Sequence, residues 1–183
     1  LGVEKNLISK NFNCHHIIVE NWEELEEEKG VIFVSIPTLL DSSLAPEGKH
    51  IIHAFTPSSI NEWEGLTRKE YLQKKEEYFS FLVEKISKIL PNLNQNIDHK
   101  EIGTPKTHRK FLGRYEGSYG PIPNRKLLGL LPMPFNTTKI KNLYCVGDSC
   151  FPGQGLNAVA FSGYACAHKI GSKLNINSFK LPD

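Results

Sequence analysis

The stretch YCVGDSCFPGQGLNAVAFSG, residues 144–163, constrains the fold of this 183-residue chain more than any other. NLYCVGD (142–148) reads as a short apolar strand ending in Gly147 and Asp148. GQGLNAVAFSGYACAHKIGSKL (153–174) reads as a glycine turn followed by a helix. Ala158, Ala160, Ser162, Gly163, Ala165 and Ala167 would let that helix lie close against its support. GQGLNA fits the glycine-rich pattern G-x-G-x-x-G/A, in which glycines let a ligand approach backbone N–H groups. A helix start adds unpaired donors and about half a positive charge. Asp148, at the carboxyl end of the strand, is placed to accept hydrogen bonds from ribose or ribityl hydroxyls. After the helix only NINSFKLPD remains, too short and polar for another buried strand. The expectation is therefore a terminal β–α unit whose parallel partners lie earlier in a longer chain. The opening LGVEKN, without methionine, fits the same reading of a fragment.

Other chemistries fit these residues less well. A P-loop needs Gly-Lys-Ser/Thr, and no lysine stands between Lys141 and Lys169. GDS (147–149) resembles the nucleophile segment of one class of serine hydrolases, but the D-x-x-H pair that would activate Ser149 is missing. Ser149 reads as a turn or packing residue. A net charge of +2 suggests neither nucleic acid nor an acidic partner. Cys14, Cys145, Cys150 and Cys166 form no C-x-x-C pair and match neither a zinc site nor a disulfide framework, so free thiols and no metal are expected. No apolar run approaches the ~18 residues that span a bilayer.

Upstream, HHIIVE (15–20), VIFVSIP (31–37) and KHIIHAFT (49–56) read as three strands of an antiparallel meander, with DSSLAPEG (41–48) a loop. Thr67 and Glu70 form a capping box. Leu72, Phe79, Leu82, Val83, Ile86, Ile89 and Leu90 then recur near a 3.6-residue period until Pro91, predicting a long helix whose other face, with Lys74, Lys75, Glu77, Lys85 and Lys88, is wet. NIDHKEIGT (96–104) predicts another strand. Thr104 as N-cap and Pro105 at the first helical position predict a short helix over 104–112. GRYEGSYGPIPNRKLLGLLPMPFNTTKI has too much Gly and Pro for regular structure. Its apolar run LLGLLPMPF should line a core, a ligand channel or a membrane surface.

GLLPMPFNTTKIKNLYCVGDSCFPGQGLNAVAFSGYACAHKI resembles the C-terminal segment of the carotenoid cis–trans isomerases (prolycopene isomerases), in the phytoene-desaturase-like branch of FAD-dependent amine-oxidase-type flavoproteins. VSIPTLLDSSLAPEGKHIIHAFT, EWEGLTRKEYLQKKE, EIGTPKTHRKFLGR and GSYGPIP resemble that family's segments in the same order, so the likeness runs from about residue 12 onward. It implies an α+β to α/β fold, the C-terminal part of a two-domain flavoprotein. Residues 1–140 would mainly build a substrate domain of mixed or antiparallel sheet and helices. Residues 141–174 would be the terminal β–α unit of the Rossmann-like FAD domain, and 175–183 a tail. The family's N-terminal ADP-binding G-x-G-x-x-G segment is absent.

The same resemblance implies that Asp148 meets the FAD ribityl chain, and that Gly147, Pro152, Gly153, Gln154, Gly155, Leu156 and Asn157 belong to the flavin-facing turn. Leu130, Leu131, Met133 and Phe135 would line the substrate approach. The implied reaction converts poly-cis lycopene to the all-trans form with no net redox change, using reduced FAD. The cofactor carries the chemistry, and no catalytic acid or base is named. Weak or absent FAD binding and no activity are expected of this segment alone. The parent is expected to be intracellular and peripherally bound to a photosynthetic or plasma membrane, the apolar loop being a possible lipid contact. A carotenoid desaturase or ketolase of the same fold is one alternative, and a polyene- or lipid-binding module without flavin another. His108 and Arg109 read as solvent-facing basic residues. His15 and His16 have no partners for a metal, and the cysteines read as packing residues.

Overall fold

In the computed structural model, which describes residues 1–25, 27–118 and 133–176, the Thr67–Glu70 capping box forms as the sequence dictates. The Glu70 N–H donates to Thr67 Oγ1 at 3.3 Å, and the Thr67 N–H donates to Glu70 Oε2 at 2.8 Å. Helix α1 then runs Arg68–Ser87. It stops short of Pro91, and a tightened last turn (Lys88 N–H to the Lys85 carbonyl, Ile89 N–H to the Ile86 carbonyl) carries the chain onward. Tyr78, Val83, Ile86 and, beyond the helix, Leu90 are buried. Phe79, Leu82 and Ile89 pack at the margin of the same core. Leu72 departs from the expected stripe: it sits in the second turn, before the buried stretch begins, and is 44% exposed.

Six short strands form two three-stranded antiparallel sheets among the described residues: β1 (Gly2–Glu4), β2 (His15–Val19), β3 (Val31–Ser35), β4 (Lys49–Ile51), β5 (His53–Phe55) and β6 (Ile97–His99). The expected meander is the sheet β2-β3-β5, in which Ile17 pairs with Phe33 and Phe33 with Phe55. KHIIHAFT is not one strand, however. It breaks at the buried Ile52, and its first half joins the other sheet, in the order β4-β1-β6. Ile52 donates its N–H to the Leu1 carbonyl at 2.9 Å and buries its side chain, so one residue ends one ladder as the next begins. Lys49 stitches the second sheet across its width, reaching Glu4 on β1 at 2.5 Å and Asp98 on β6 at 2.7 Å.

Alternation along β3 decides what is buried. Ile32 and Val34 face inward while Phe33 faces out. The inward residues join Val3, Ile8, Ile36, Ile52, Val83, Ile86, Leu90 and Leu93 in one core, which unites both sheets with α1. Burial of this kind stabilises by about 25 cal/mol per Å² of apolar surface. Beside it, Trp63 is 2% exposed. Its indole N–H donates to Ser58 Oγ at 2.8 Å, and its ring lies 5.2 Å from that of Tyr78. The charged face of α1 is more engaged than expected: Lys85 pairs with Glu20 at 2.6 Å, and Lys74 with Glu62 at 2.9 Å.

Helix α2 (Pro105–Leu112) has proline at its first position, as expected. The capping roles are reversed. The Thr107 hydroxyl accepts from the Thr104 N–H at 3.0 Å, while the buried Thr104 hydroxyl is turned to Tyr71 at 2.9 Å. Arg109 is exposed, as expected, and pairs with Glu64 at 2.6 Å. The described chain forms two compact units, Leu1–Phe111 and a second from Leu112 onward. The second contains helix α3 (Leu156–Lys173). Antiparallel sheets with separate helices make this an α+β arrangement. Thr67→Ala is expected to lower stability by about 1 kcal/mol, a fall in Tm of roughly 2–4 °C for a chain of this size, read by thermal unfolding followed at the helix circular-dichroism band.

Candidate functional site

Helix α3 starts where the sequence places it, and the turn before it needs its glycines. Gly147, Gly153 and Gly155 have φ of +111°, +119° and +103°, where a side chain would strain the backbone. A Cβ added at Gly147 or Gly155 would meet open space, so both glycines leave the backbone approachable from outside. The helix's first internal bond runs from the Val159 N–H to the Gly155 carbonyl, leaving the N–H groups of Leu156, Asn157 and Ala158 directed out of the helix end. Gln154, Gly155 and Asn157 are exposed, as is the Leu156 side chain at 83%. Pro152 follows a cis peptide bond from Phe151 and is also exposed.

Residues 142–148 do not form the expected strand. They run as irregular backbone with one isolated antiparallel bridge, Thr137 to Tyr144, and Leu143, Cys145 and Val146 are exposed. A strand needs a ladder beside it, and here only the short Pro134–Thr137 segment supplies bonds: Cys145 N–H to the Asn136 carbonyl at 2.9 Å, and Phe151 N–H to the Pro134 carbonyl at 2.8 Å.

The turn is fastened to α3 by a polar node that sequence reading did not single out. Ser162, fully buried, accepts from the Gly147 N–H at 3.3 Å and from Asn136 Nδ2 at 3.0 Å. Asn136 Nδ2 also donates to the Cys145 carbonyl at 2.9 Å. The small-residue pattern was the available signal for Ser162. Nothing in the sequence marked Asn136.

Asp148 projects beside this node. Its Oδ2 accepts from Arg114 at 2.5 Å, and its Oδ1 from the Ser149 hydroxyl at 3.3 Å. The Arg114 guanidinium holds the carboxyl below the usual aspartate range and is itself held more firmly protonated. The Asp148 side chain is 22% exposed. A carboxylate has about four acceptor positions, so two protein donors leave room for ligand hydroxyls. Arg114 was also missed: it lies 34 positions upstream in a Gly-rich stretch that gives no periodic cue.

Of the residues expected to line a substrate approach, Met133 lies 3.9 Å from where a Gly153 Cβ would stand, and the Phe135 ring is 5.5 Å from that of Phe151. Both therefore adjoin the glycine turn. Leu130 and Leu131 lie outside the described residues. His108 and Arg109 belong to the first unit. Among the described residues no group of three or more His, Cys, Asp or Glu could hold a metal, and no helix is long and apolar enough to cross a membrane. The arrangement combines open backbone donors, one ionised carboxylate and an exposed apolar side chain at a helix start. It suits a ligand with hydroxyls and a flat apolar ring.

No family model matches the chain. It is 53% identical over 178 residues to the chloroplastic prolycopene isomerase of Arabidopsis thaliana, and 55% identical over 178 residues to the chloroplastic prolycopene isomerase 1 of an Oncidium hybrid cultivar. Each match covers 96% of this chain and 30% of the relative. A more distant likeness, 29% over 164 residues, is to 4,4'-diapolycopen-4-al dehydrogenase of Metabacillus indicus, covering 86% of this chain and 31% of that protein. The chain thus spans about 30% of the length of the curated relatives it matches, and over that span its likeness to prolycopene isomerases is nearly continuous.

Ser162→Ala should cost about 1–3 kcal/mol by leaving the Gly147 N–H and an Asn136 donor without their acceptor, measured by urea unfolding. The Asp148–Arg114 pair sets a pH dependence. Because the folded-state pKa of Asp148 is depressed, its contribution is full above the ordinary aspartate value, about 3.9, and is lost as pH falls towards the lowered one. Asp148→Asn should flatten that acid limb of the stability profile while leaving the limb above pH about 6 unchanged in slope.

Proposed function

We propose that this chain supplies the flavin-facing turn and much of the substrate-binding part of an FAD-dependent carotenoid isomerase, which converts poly-cis lycopene to the all-trans form with no net redox change. The observation that carries the reading is the match above 50% identity to prolycopene isomerases over 96% of the chain, together with an accessible glycine turn and a carboxylate at its mouth. The weaker likeness to a carotenoid-aldehyde dehydrogenase, at 29%, favours isomerisation over net oxidation as the activity of the whole protein.

The residues fit FAD on physical grounds. Gly147 and Gly155 leave space that a Cβ would occupy, Asp148 has unused acceptor capacity, and the start of α3 offers outward N–H donors. Asp148 would accept hydrogen bonds from ribityl hydroxyls, its ionised state maintained by Arg114. Gly153, Gln154, Gly155 and Asn157 would present backbone donors, and Leu156 and Pro152 would flank the ring. Met133 and Phe135, packed beside Gly153 and Phe151, would form the apolar approach for the polyene and exclude water. When bound, reduced flavin supplies transient electron or proton donation that lowers the order of a cis double bond so that it can rotate. Residues 1–140 would serve mainly as the substrate domain and 141–174 as the end of the FAD domain. The whole protein would sit peripherally at a carotenoid-bearing membrane, in keeping with the chloroplastic relatives.

A chimera tests this: the Arabidopsis relative with its matching segment replaced by this chain, given poly-cis lycopene and reduced FAD. All-trans product of unchanged mass is expected. Product lighter by two hydrogens would overturn the reading in favour of a desaturase, and a colourless chimera that resists flavin reconstitution would favour a polyene-binding module. The chain alone is expected to retain little FAD, and a stoichiometric yellow preparation would contradict that.

A further inference from the structure

Among the described residues β4 is an edge strand of its sheet, so its outward N–H groups need partners from outside the ladder. Ile51 finds one in a side chain: its N–H donates to Thr38 Oγ1 at 3.1 Å. Thr38 stands in the short helical turn Pro37–Leu39 that follows β3, and it is 3% exposed. The same oxygen lies 2.8 Å from Nδ1 of His50, itself 6% exposed. These two contacts fix the tautomer. The amide must donate, so the Thr38 hydroxyl proton needs an acceptor, and His50 Nδ1 is the one within reach among the described residues. Neutral His50 therefore carries its proton on Nε2. Nε2 has no protein partner among the described residues, yet it is not a sealed, unpaired atom. His50 lines a cavity of about 370 Å³ with Lys5, Ser42, Glu47 and Gly48, and there that edge of the ring meets water. The ring is thus held by a buried relay on one side and hydrated on the other.

We propose that His50 and Thr38 form an acid-sensitive latch: protonation of His50 at Nδ1 reverses its hydrogen bond to Thr38 and loosens the Pro37–Leu39 turn from the edge of β4. The inference is independent of the flavin reading. A proton taken from solvent occupies the Nδ1 lone pair that the Thr38 hydroxyl had used. Nδ1 then donates, Thr38 Oγ1 faces two N–H donors, and its own buried proton loses its acceptor. The hydrated Nε2–H edge lets the cation form inside the fold. Burial disfavours that cation and the Lys5 charge on the same cavity adds to the effect, so the His50 pKa lies below the ordinary histidine value. The other charged groups nearby are committed elsewhere or stand in solvent. Lys49 also lines the cavity, but its ammonium is held by Glu4 and Asp98. Asp41 accepts from Ser43, the Leu1 ammonium sits on the Ile52 carbonyl, and Glu47 is exposed. None of them hydrogen-bonds the ring. Because the folded-state pKa is depressed, the latch contributes fully above about pH 6.5, and its contribution is lost as pH falls through that value towards the lowered one.

The test follows the His50 Hε1 resonance and the Thr38 and Ile51 amide resonances of the whole chain by NMR from about pH 8 to about pH 5, with urea unfolding at each pH. The expected result is one His50 midpoint below about 6.5, shared by both amides, with stability falling over the same window. Lys5→Gln, at an exposed side chain with no ion pair among the described residues, should fold unchanged and raise the midpoint. Thr38→Ser keeps the hydroxyl and should keep the coupled step. Thr38→Val should leave the Ile51 amide silent while His50 titrates. A His50 midpoint at or above the ordinary value, Thr38 and Ile51 amides that do not move with it, or a midpoint unmoved in Lys5→Gln would overturn the proposal.

Discussion

The first unit depends on a single constraint: neither of its two small sheets is wide or long enough to bury an apolar face alone, so both must share one helix. Strands of three to five residues give each sheet few ladder bonds. The side of α1 carrying Val83 and Ile86, with Leu90 just beyond, supplies the common surface against which Ile32 and Val34 from one sheet and Val3 from the other are buried. The charged residues act around this core rather than within it. Lys49 crosses three strands, and Lys85 and Lys88 converge on Glu20 in the loop after β2. Pairs this exposed contribute little individually, and their arrangement fixes register more than it adds stability.

Among the described residues of the second unit, a polar node fastens the glycine turn to α3. Ser162 on α3 is fully buried with no solvent to turn towards, and its hydroxyl joins Gly147 and Asn136. This connects the position of the helix to that of Asp148, one residue past Gly147. A buried node of this kind is costly to satisfy in part, which gives the turn a defined place although its flanking backbone is irregular.

What could be read in the sequence followed from how local the cause was. The α1 capping box, the Pro105 start and the glycines before Leu156 each act within a few residues, and all three appear where expected. The β-branched run that forms β3 was equally legible as a strand. Features set by distant partners were not. β1 is three residues long and exists because β4 and β6 flank it. KHIIHAFT looked continuous because nothing in it signals a change of sheet; only the burial of Ile52 from outside enforces the break. The expected strand at 142–148 had the right residue types but no ladder among the described residues. Asp148 could be singled out from its place in the motif, whereas Arg114 could not, since an ion pair across 34 positions leaves no spacing to detect.

Ile52 sits between β4 and β5 with no linker, so the two sheets share a fixed phase. Loss or gain of one residue anywhere between Lys49 and Phe55 would invert the in–out pattern of one sheet relative to the other. Most loops of this unit can vary in length at modest entropic cost. This seven-residue segment cannot, and among homologous proteins it should behave as a gap-free ruler against which the surrounding insertions are counted.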